Sequence, residues 1–433
     1  MSQFPLLVRQ SLSLRPDPSR VVVRPFKPTT EPRDMNASDK TRADHIVDRV
    51  LRLDEATVDR QLHDVLENFE GRHRNLLQTF ACSAEEMENA FAPHAPLSPH
   101  QRLLIGAYFL QEYSFEASAL FNPSIVRDPD QSSAPKDSCR FILSLRAVGE
   151  GHISSLTFRS GVIGATGEVT LDPTARLACI STDLIRTPSP HGEHVEISFR
   201  PEVELSERVI FPITDAQSNG IEDARFVEFV EGDDTRYYAT YTAYSGRAIR
   251  SELIETKDFR SFRLTPLSGS ATRNKGMALF PRKINGRYAM IARQDNENLY
   301  LLYSDDIRAW EGGQAILQPE QPWEFFQMGN CGAPIELDEG WLLLTHGVGP
   351  VRKYSIGAVL LDKANPSKVL GRSREPLIRP EFYERDGYVP NVVYTCGALR
   401  HRGKIILPYA ISDTFSKFAA IDAAALLGAI DRG

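Results

Sequence analysis

Short runs of alternating hydrophobic and polar residues, separated by turn sequences, dominate the chain from about Asn122 onward. This alternation is typical of strands, and no helical period of 3.6 runs through it. Five passages share one order, in which a short apolar run, a turn and a second apolar run ending in a polar residue follow one another. The passages begin at Asn122, Asp223, Leu279, Gly332 and Pro390. After the first, consecutive openings lie roughly 50 to 60 residues apart, slightly above the ~40 to 50 of one propeller blade. The pattern predicts an all-β fold, a five-bladed β-propeller.

A different pattern precedes this repeat. RVVVRPF at 20–26 predicts one strand, and KPTTEPRDMNASDK at 27–40 predicts a linker. From about residue 41 to 91, apolar residues recur at helical spacing, which predicts three helices. Ser98 followed by Pro99 is a favourable start for a fourth.

The chain is therefore divided into an N-terminal extension, residues 1–113, with one strand and then helices, and a propeller domain, residues 114–433. The apolar stripes of the helices are predicted to pack against the propeller or against a second subunit. A homo-oligomer formed through these helices is the corresponding expectation.

Composition narrows the classes of partner. The chain has 433 residues and a formal net charge of -7, which argues against non-specific nucleic-acid binding because that needs a basic face. The apolar stretch after Phe4 is too short for a signal peptide and no run approaches a membrane span, so a cytoplasmic protein without membrane contact is expected. The 5 cysteines are scattered and form no CxxC, so we expect buried thiols and no metal site.

The second apolar run of each copy ends in a residue that can bind an anion or a sugar. Equivalent strand ends of a propeller face one funnel, so these residues are expected to form a ring. They are Arg146, Tyr244, Arg293, His346 and Asp413.

One part of this ring is basic. Lys275 lies just before the third copy, and Arg293 and His346 end the second runs of the third and fourth; Tyr354 follows eight residues after His346. Such donors suit a tetrahedral oxyanion, because they supply both hydrogen bonds and positive charge. Taken singly, each is more often an ordinary surface or salt-bridge residue, and only their recurrence favours a site.

The remaining ring residues suit sugar hydroxyls. Asn122 and Arg146 come from the first copy and Asp413 from the fifth. His152, in GEGHISS, either joins them or caps a strand end.

The acid-rich sequence Gly220–Arg225 precedes the second copy. Because side chains alternate along an extended chain, one of Glu222 and Asp223 is expected to face the funnel. The alternative is a turn with a surface glutamate and a structural pair between Asp223 and Arg225. No P-loop, GxGxxG, HExxH or GxSxG occurs, so nucleotide, zinc-protease and α/β-hydrolase chemistry have no support.

An ordered set of motifs resembles glycoside hydrolase family 130, the mannoside phosphorylases and related β-mannosidases, over about residues 115 to 420. The motifs are FNPSIV, SLRAVGEG, GIEDARF, YYATYTAY, NKGMALFPRKINGRYAMIAR, GWLLLTHGV, IGAVLLDKANPSKVLGRSREP and VPNVVY. The resemblance implies a five-bladed propeller and an inverting reaction. In the phosphorylases, inorganic phosphate is the co-substrate, attacks the anomeric carbon and releases α-mannose 1-phosphate; no cofactor is expected.

The resemblance also implies roles. Asp223 would be the proton donor, acting through the 3-hydroxyl of the bound mannosyl unit, and Asn122 and Arg146 would hold that unit. Asp413 would orient the sugar or the nearby cations. The phosphate site would comprise Lys275, Arg293, His346 and Tyr354, while Tyr244 and His152 are further candidates for sugar contacts.

Three alternatives differ in what they require. An inverting β-mannosidase needs a second carboxylate to activate water, whereas a phosphorylase needs a basic pocket, and the sequence shows the pocket more clearly. A five-bladed furanosidase would need acids from at least three blades, where this chain offers Arg293 and His346. A propeller scaffold or lectin would need no axial acid. The sequence therefore favours phosphorolysis of β-mannosides, with β-mannoside hydrolysis as the alternative.

Overall fold

A computed structural model describes residues 7–26, 40–90 and 97–431, and most of its ordered elements are β-strands. The described chain forms two compact units. The first contains residues 7–18, 115–175 and 181–431, and the second contains 19–26, 40–90, 97–114 and 176–180. The units therefore interleave along the sequence.

Strand β1 (Leu7–Leu14) belongs to the first unit. The second unit contains strands β2 (Val22–Pro25) and β3 (Leu110–Tyr113), which pair antiparallel, and four helices. Side-chain caps from Thr41, Asp54 and Ser98 begin three of these helices. The helices are α1 (Arg42–Leu51), α2 (Glu55–Phe69), α3 (Leu76–Ala90) and α4 (Pro99–Tyr108).

Five antiparallel meanders, numbered here in chain order, make up the rest of the first unit. The first consists of β4 (Ala119–Arg127), β5 (Cys139–Val148), β6 (Ser154–Ile163) and β7 (Val169–Leu171). An insertion follows with β8 (Cys179–Ile180), which counts with the second unit, then β9 (Asp183–Thr187), β10 (His194–Ser198) and β11 (Arg208–Ile210). The second meander consists of β12 (Gly220–Glu231), β13 (Asp234–Tyr244), β14 (Ile249–Thr256) and β15 (Ser261–Pro266), and β10 and β9 extend its outer edge.

The other three meanders follow without large insertions. The third has β16 (Ala278–Leu279), β17 (Tyr288–Ala292), β18 (Leu299–Ser304) and β19 (Gln314–Leu317). The fourth has β20 (Gln327–Asn330), β21 (Ile335–Glu336), β22 (Trp341–Gly349), β23 (Lys353–Leu361) and β24 (Val369–Arg372). The fifth has β25 (Val393–Tyr394), β26 (Leu399–His401), β27 (Lys404–Ile411) and β28 (Phe415–Asp422), with β1 on its outer edge, and a short helix, α5 (Ala423–Ala429), ends the described chain.

Apolar side chains pack between neighbouring meanders. One core cluster joins the second and third meanders, one the third and fourth, and one the fourth and fifth. A smaller cluster places Ala410 of the fifth meander against Phe121 of the first. The first and second meanders are joined by pairing of Ser154 with Gly220 and by the rings of Phe158 and Phe226. Each meander thus buries its faces against two others.

Left-handed backbone recurs at one equivalent place in all five meanders: within β4 and β12 in the first two, just before β16 and β25 in the third and fifth, and between β20 and β21 in the fourth. In the first two meanders it interrupts the strand register, as a β-bulge does. The sequence placed the third opening at Leu279, whereas the equivalent residue lies three positions earlier. The φ values are 48° at Asn122, 53° at Asp223, 91° at Gly276, 153° at Gly332 and 63° at Asn391.

The prediction of a mostly β protein is confirmed, and the closed five-bladed ring stays a prediction. Strand β2 coincides with the predicted strand at 20–26, whereas β1 was not predicted. Apart from Lys40, the predicted linker lies outside the described residues. Three cysteines are buried as expected, but Cys82 is exposed and Cys179 is partly so. Within the described ranges, no helix is long and apolar enough to span a membrane.

Candidate active site

The first strands of the first two meanders bring Asn122 and Asp223 together. Asn122 Nδ2 donates a hydrogen bond of 2.6 Å to Asp223 Oδ1, although the residues are 101 positions apart. Both residues have left-handed backbone at the bulge of their strands, which is uncommon outside glycine and costs free energy. Asparagine and aspartate tolerate this conformation better than other side chains.

Arg146 on β5 connects this pair to the second acid. Its Nη2 lies 2.7 Å from Glu222 Oε1 and its Nη1 lies 3.4 Å from Asp223 Oδ1. The guanidinium also lies over the ring of Phe121, 5.0 Å from the centroid. Ring and carboxylates together fix the direction of this cation.

Two further cations act on the carboxylates. Arg225 Nη2 lies 3.9 Å from Asp223 Oδ2, and Lys275 Nζ lies 3.8 Å from Glu222 Oε2. Burial raises the pKa of Asp223, but the charges of Arg146, Arg225 and Lys275 and the hydrogen bond from Asn122 outweigh it and lower the pKa below its ordinary value. Asp223 is therefore ionised at neutral pH.

The third and fourth meanders contribute a pair of another kind. Arg293 Nη1 lies 3.3 Å from His346 Nε2, and the two side chains are buried. Burial and the charges of Arg293 and Arg225 lower the pKa of His346 well below its ordinary value, so this histidine is neutral.

Arg293 has no carboxylate within ion-pair distance among the residues that the structure describes, although only 7% of its surface is exposed. The neighbouring Arg225 differs, since it faces Asp223 and donates a hydrogen bond of 2.7 Å to the hydroxyl of Tyr394. A buried cation without a counter-charge is costly, so this part of the site favours an anion.

Aromatic rings support the histidine. Tyr354 stacks on His346 with centroids 5.8 Å apart and an interplanar angle of 18°, and Tyr394 lies 5.0 Å from the same ring. Tyr354 N donates 3.0 Å to the carbonyl of Asn391, which ties the fourth meander to the fifth.

Asp413 is the acid of the fifth meander. Burial raises its pKa to about 7, and the charges of Asp223 and Glu222 add to this effect, while Arg146 and Arg352 offset part of it. Ser412 and Asp413 are both left-handed, with φ of 47° and 48°. Asp413 is therefore largely protonated below neutral pH, unlike Asp223.

Several polar atoms of this region are buried without a hydrogen-bond partner in the described part of the chain. Buried polar groups are normally satisfied, so such a group of atoms indicates a place that a polar ligand completes. The atoms are Asn122 Oδ1, Arg146 Nε, Arg225 Nε, Arg293 Nε, His346 Nδ1, and Oδ1 and Nδ2 of Asn330.

Two predicted sugar contacts make hydrogen bonds with other residues. The hydroxyl of Tyr244 donates 3.2 Å to the carbonyl of Gly246, within its own turn. His152 Nδ1 hydrogen-bonds the hydroxyl of Tyr388 at 2.6 Å. Among the described residues, Tyr244 makes no hydrogen bond or ion pair with Asp223 or Arg293, and the sugar-binding roles of Tyr244 and His152 stay predictions.

Four further residues have contacts here; the sequence analysis considered Glu222 and Arg225 only within the acid-rich sequence Gly220–Arg225, and it did not consider Tyr394 or Asn330. Glu222 bridges two cations, Arg225 and Tyr394 are hydrogen-bonded to each other, and Asn330 is buried beside the strand of His346. The adjacent acids and the VPNVVY motif were visible in the sequence, but partners of these residues come from distant segments. Among described residues, no group of three or more His, Cys, Asp or Glu could hold a metal ion.

Solved structures share this fold. The β-1,2-mannobiose phosphorylase from Listeria innocua, in complex with β-1,2-mannobiose, superposes with a TM-score of 0.52 at 22% identity, covering 72% of this chain and 92% of that one. A glycoside hydrolase from Parabacteroides distasonis gives the same TM-score, 0.52, at 19% identity, covering 72% and 89%. At sequence identities of 22% and 19%, the similarity shows a shared fold.

Curated relatives are nearer in sequence. A 1,2-β-oligomannan phosphorylase from Thermoanaerobacter sp. is 34% identical over 225 residues, which are 51% of this chain and 74% of that protein. A β-1,2-mannobiose phosphorylase from Listeria innocua is 32% identical over 236 residues, 52% of this chain and 62% of that protein. A family model described as beta-1,4-mannooligosaccharide phosphorylase matches residues 195–432, more than half of the chain. The chain therefore belongs to glycoside hydrolase family 130.

Proposed function

We propose that this protein catalyses the inverting phosphorolysis of β-mannosides and releases α-mannose 1-phosphate. The observation that carries the proposal is the buried Arg293, which lies against a neutral His346 and has no carboxylate partner among the described residues. A phosphate ion would supply the missing negative charge and accept hydrogen bonds from both side chains. The matched relatives, which are named as phosphorylases of β-mannosides, support the same reaction.

The proposed roles separate the two substrates. Asn122 and Arg146 hold the mannosyl unit, Asp413 orients it, and Tyr244 and His152 remain candidates for further sugar contacts. The phosphate ion is bound by Lys275, Arg293, His346 and Tyr354.

The reaction balances with phosphate as the nucleophile. A phosphate oxygen forms a bond to the anomeric carbon while the bond from that carbon to the leaving oxygen breaks. The leaving oxygen takes a proton from the 3-hydroxyl of the mannosyl unit, which takes the proton of Asp223. No second carboxylate is needed, because the nucleophile arrives ionised.

Asp223 must gain a proton before this step, since its lowered pKa keeps it ionised at neutral pH. Arg146, Arg225 and Lys275 hold its pKa down, and a bound phosphate ion offsets part of their charge. Phosphate binding would therefore favour protonation of Asp223. The general acid would then be protonated when the nucleophile is bound.

Hydrolysis of β-mannosides is the second candidate, and the other carboxylates weigh against it. Glu222 lies 2.7 Å from Arg146 and 3.8 Å from Lys275, so its charge is engaged. Asp413 is largely protonated below neutral pH, because burial raises its pKa to about 7. Neither is a free, ionised carboxylate of the kind that activates water in an inverting hydrolase.

We also propose that the five meanders close into a five-bladed ring. Support comes from the packing of the fifth meander on the first and from a cavity of about 620 Å³ to which all five meanders contribute. The contributing residues include Val126, Phe226, Pro281, Pro334 and Leu399. Self-association through the helices of the second unit stays a prediction, which light scattering would test.

Product analysis tests the reaction. The purified protein would be incubated with β-1,2-, β-1,3- and β-1,4-linked mannosides, with and without inorganic phosphate. We expect α-mannose 1-phosphate to form only when phosphate is present. Equal rates in both conditions, with free mannose as the product, would place the protein among the hydrolases.

A further inference from the structure

The segment between β24 and β25 carries a tyrosine that reaches the first meander. The hydroxyl of Tyr388 lies 2.6 Å from His152 Nδ1, and the two rings have centroids 5.6 Å apart, although the residues are 236 positions apart. Tyr388 keeps 46% of its surface exposed. The pair therefore joins the segment between β24 and β25 to the first meander while leaving much of the tyrosine ring exposed.

Backbone contacts hold Tyr388 beside Asp413. Tyr388 N donates 2.8 Å to Thr414 Oγ1, and Val389 N donates 3.0 Å to the carbonyl of Ser412. A side chain at Gly387 would lie 2.5 Å from Thr414 Oγ1 and 2.6 Å from Ser412 Cβ, so only glycine allows this approach. The tyrosine is fixed against the two neighbours of Asp413.

A buried glutamate anchors the same segment. Glu384 accepts hydrogen bonds from Arg9 at 2.9 Å and from Lys417 at 3.1 Å, and its carbonyl accepts from Ser412 Oγ at 2.8 Å. Arg9 lies on β1, so the outer strand of the fifth meander also takes part. Held at Glu384 and again at Gly387, the segment is ordered before any ligand arrives, which reduces the entropy cost of binding.

The histidine side is also constrained. His152 lies in the turn that follows β5, six residues after Arg146, and has φ of 60°. A left-handed residue other than glycine is held there against a conformational cost, and such residues concentrate at binding sites. Tyr388 is thus held through its backbone by Thr414, next to Asp413, and through its side chain by His152, in the turn after the strand that carries Arg146.

We propose that Tyr388, held by His152, binds the leaving-group sugar of the β-mannoside. This inference rests on the proposed function, because it assigns the mannosyl unit to Asn122 and Arg146 and places the released sugar beyond them. An open aromatic ring packs well against the C–H face of a pyranose, while its hydroxyl stays with the histidine. The ligand class is a neutral hexopyranose.

The synthetic direction separates the two sugars. With α-mannose 1-phosphate as donor and mannose as acceptor, Tyr388→Ala should raise the KM for mannose about tenfold, which corresponds to about 1.4 kcal/mol. The KM for α-mannose 1-phosphate should stay within about twofold, because that substrate does not reach Tyr388. Tyr388→Phe and His152→Ala both remove the hydrogen bond that holds the ring, so each should raise the acceptor KM in the same direction as Tyr388→Ala but by less, because the ring that packs on the sugar remains.

Tyr383→Ala is the matched control, since Tyr383 is on the same segment and is 74% exposed. Binding of β-1,2- and β-1,4-mannobiose to Asp223→Asn, with and without Tyr388→Ala, measures the contact without turnover, and we expect about tenfold weaker binding of at least one of the two in the double variant. Unchanged disaccharide binding, equal rises in both KM values, or an equal effect of Tyr383→Ala would overturn the inference. Phosphate dependence of the parent protein tests the proposed function separately, so failure of one does not imply failure of the other.

Discussion

The two halves of the candidate site differ in whether their arginines face carboxylates. In the first and second meanders, Arg146 and Arg225 both face carboxylates, at 2.7 to 3.9 Å. In the third and fourth meanders, Arg293 contacts a neutral histidine and no described carboxylate. The compensated half suits a neutral sugar, whereas the uncompensated half needs an anion. This difference is the physical reason for preferring phosphorolysis.

The backbone follows the same division. At the equivalent left-handed position, the first two meanders carry Asn122 and Asp223, whereas the third and fourth carry Gly276 and Gly332. A polar side chain therefore enters the site from this position in the first two meanders, whereas the glycines of the third and fourth provide none. In the other half the donors Arg293 and His346 come from the ends of the second strands.

Asp223→Asn is expected to have the largest effect on activity. Because the amide cannot supply the proton, turnover should fall by about 100-fold or more, the scale of a positioned general acid, while mannoside binding persists. Steady-state rates and ligand-induced thermal shifts measure the two properties. The exposed Asp233, in the turn between β12 and β13, provides Asp233→Asn as a control with unchanged rates. Near-normal turnover of Asp223→Asn would show that Asp223 is not the general acid.

Arg293→Ala tests the uncompensated half. Loss of one charge-assisted anion contact should raise the KM for phosphate roughly 10- to 100-fold and change the KM for mannoside much less. Phosphate should also raise the melting temperature of the variant less than that of the parent at the same concentration, because ligand stabilisation depends on affinity.

Arg287→Ala is the control for that variant, since Arg287 forms an exposed ion pair with Asp305 on the same meander. If Arg293→Ala weakened the binding of mannoside and of phosphate to the same degree, the two halves of the site would not bind separate substrates.

Asp413→Asn should have the smallest effect, seen in the pH dependence of stability. The pKa of Asp413 is raised from 3.8 to about 7, so the native state holds a proton that the unfolded chain loses above about pH 4. The free energy of unfolding of the parent protein should therefore fall as the pH rises from about 4 to 7. Asp413→Asn should not show this decrease, because the asparagine does not titrate.

The measurement is the melting temperature of both proteins at pH 5 and pH 8. The melting temperature of the variant minus that of the parent should be a few degrees larger at pH 8 than at pH 5. This change is on the order of the shift that 1 kcal/mol of unfolding free energy produces. An equal difference at the two pH values would show that Asp413 is ionised throughout.

The sequence alone determined the strand-rich repeat, the helical segment before it and the polar residues at the strand ends. Alternation of apolar residues and turn sequences are local signals, and they place Arg146, Arg293, His346 and Asp413 at equivalent strand ends without any knowledge of contacts. The tertiary structure decided which charges are paired. Asn122 meets Asp223 across 101 residues and Tyr388 meets His152 across 236, and such distances depend on how the meanders pack. The same packing brings Glu222 between two cations, leaves Arg293 without a described carboxylate, and adds β1 to the fifth meander, because burial and charge compensation are properties of neighbours in space and not of neighbours in the chain.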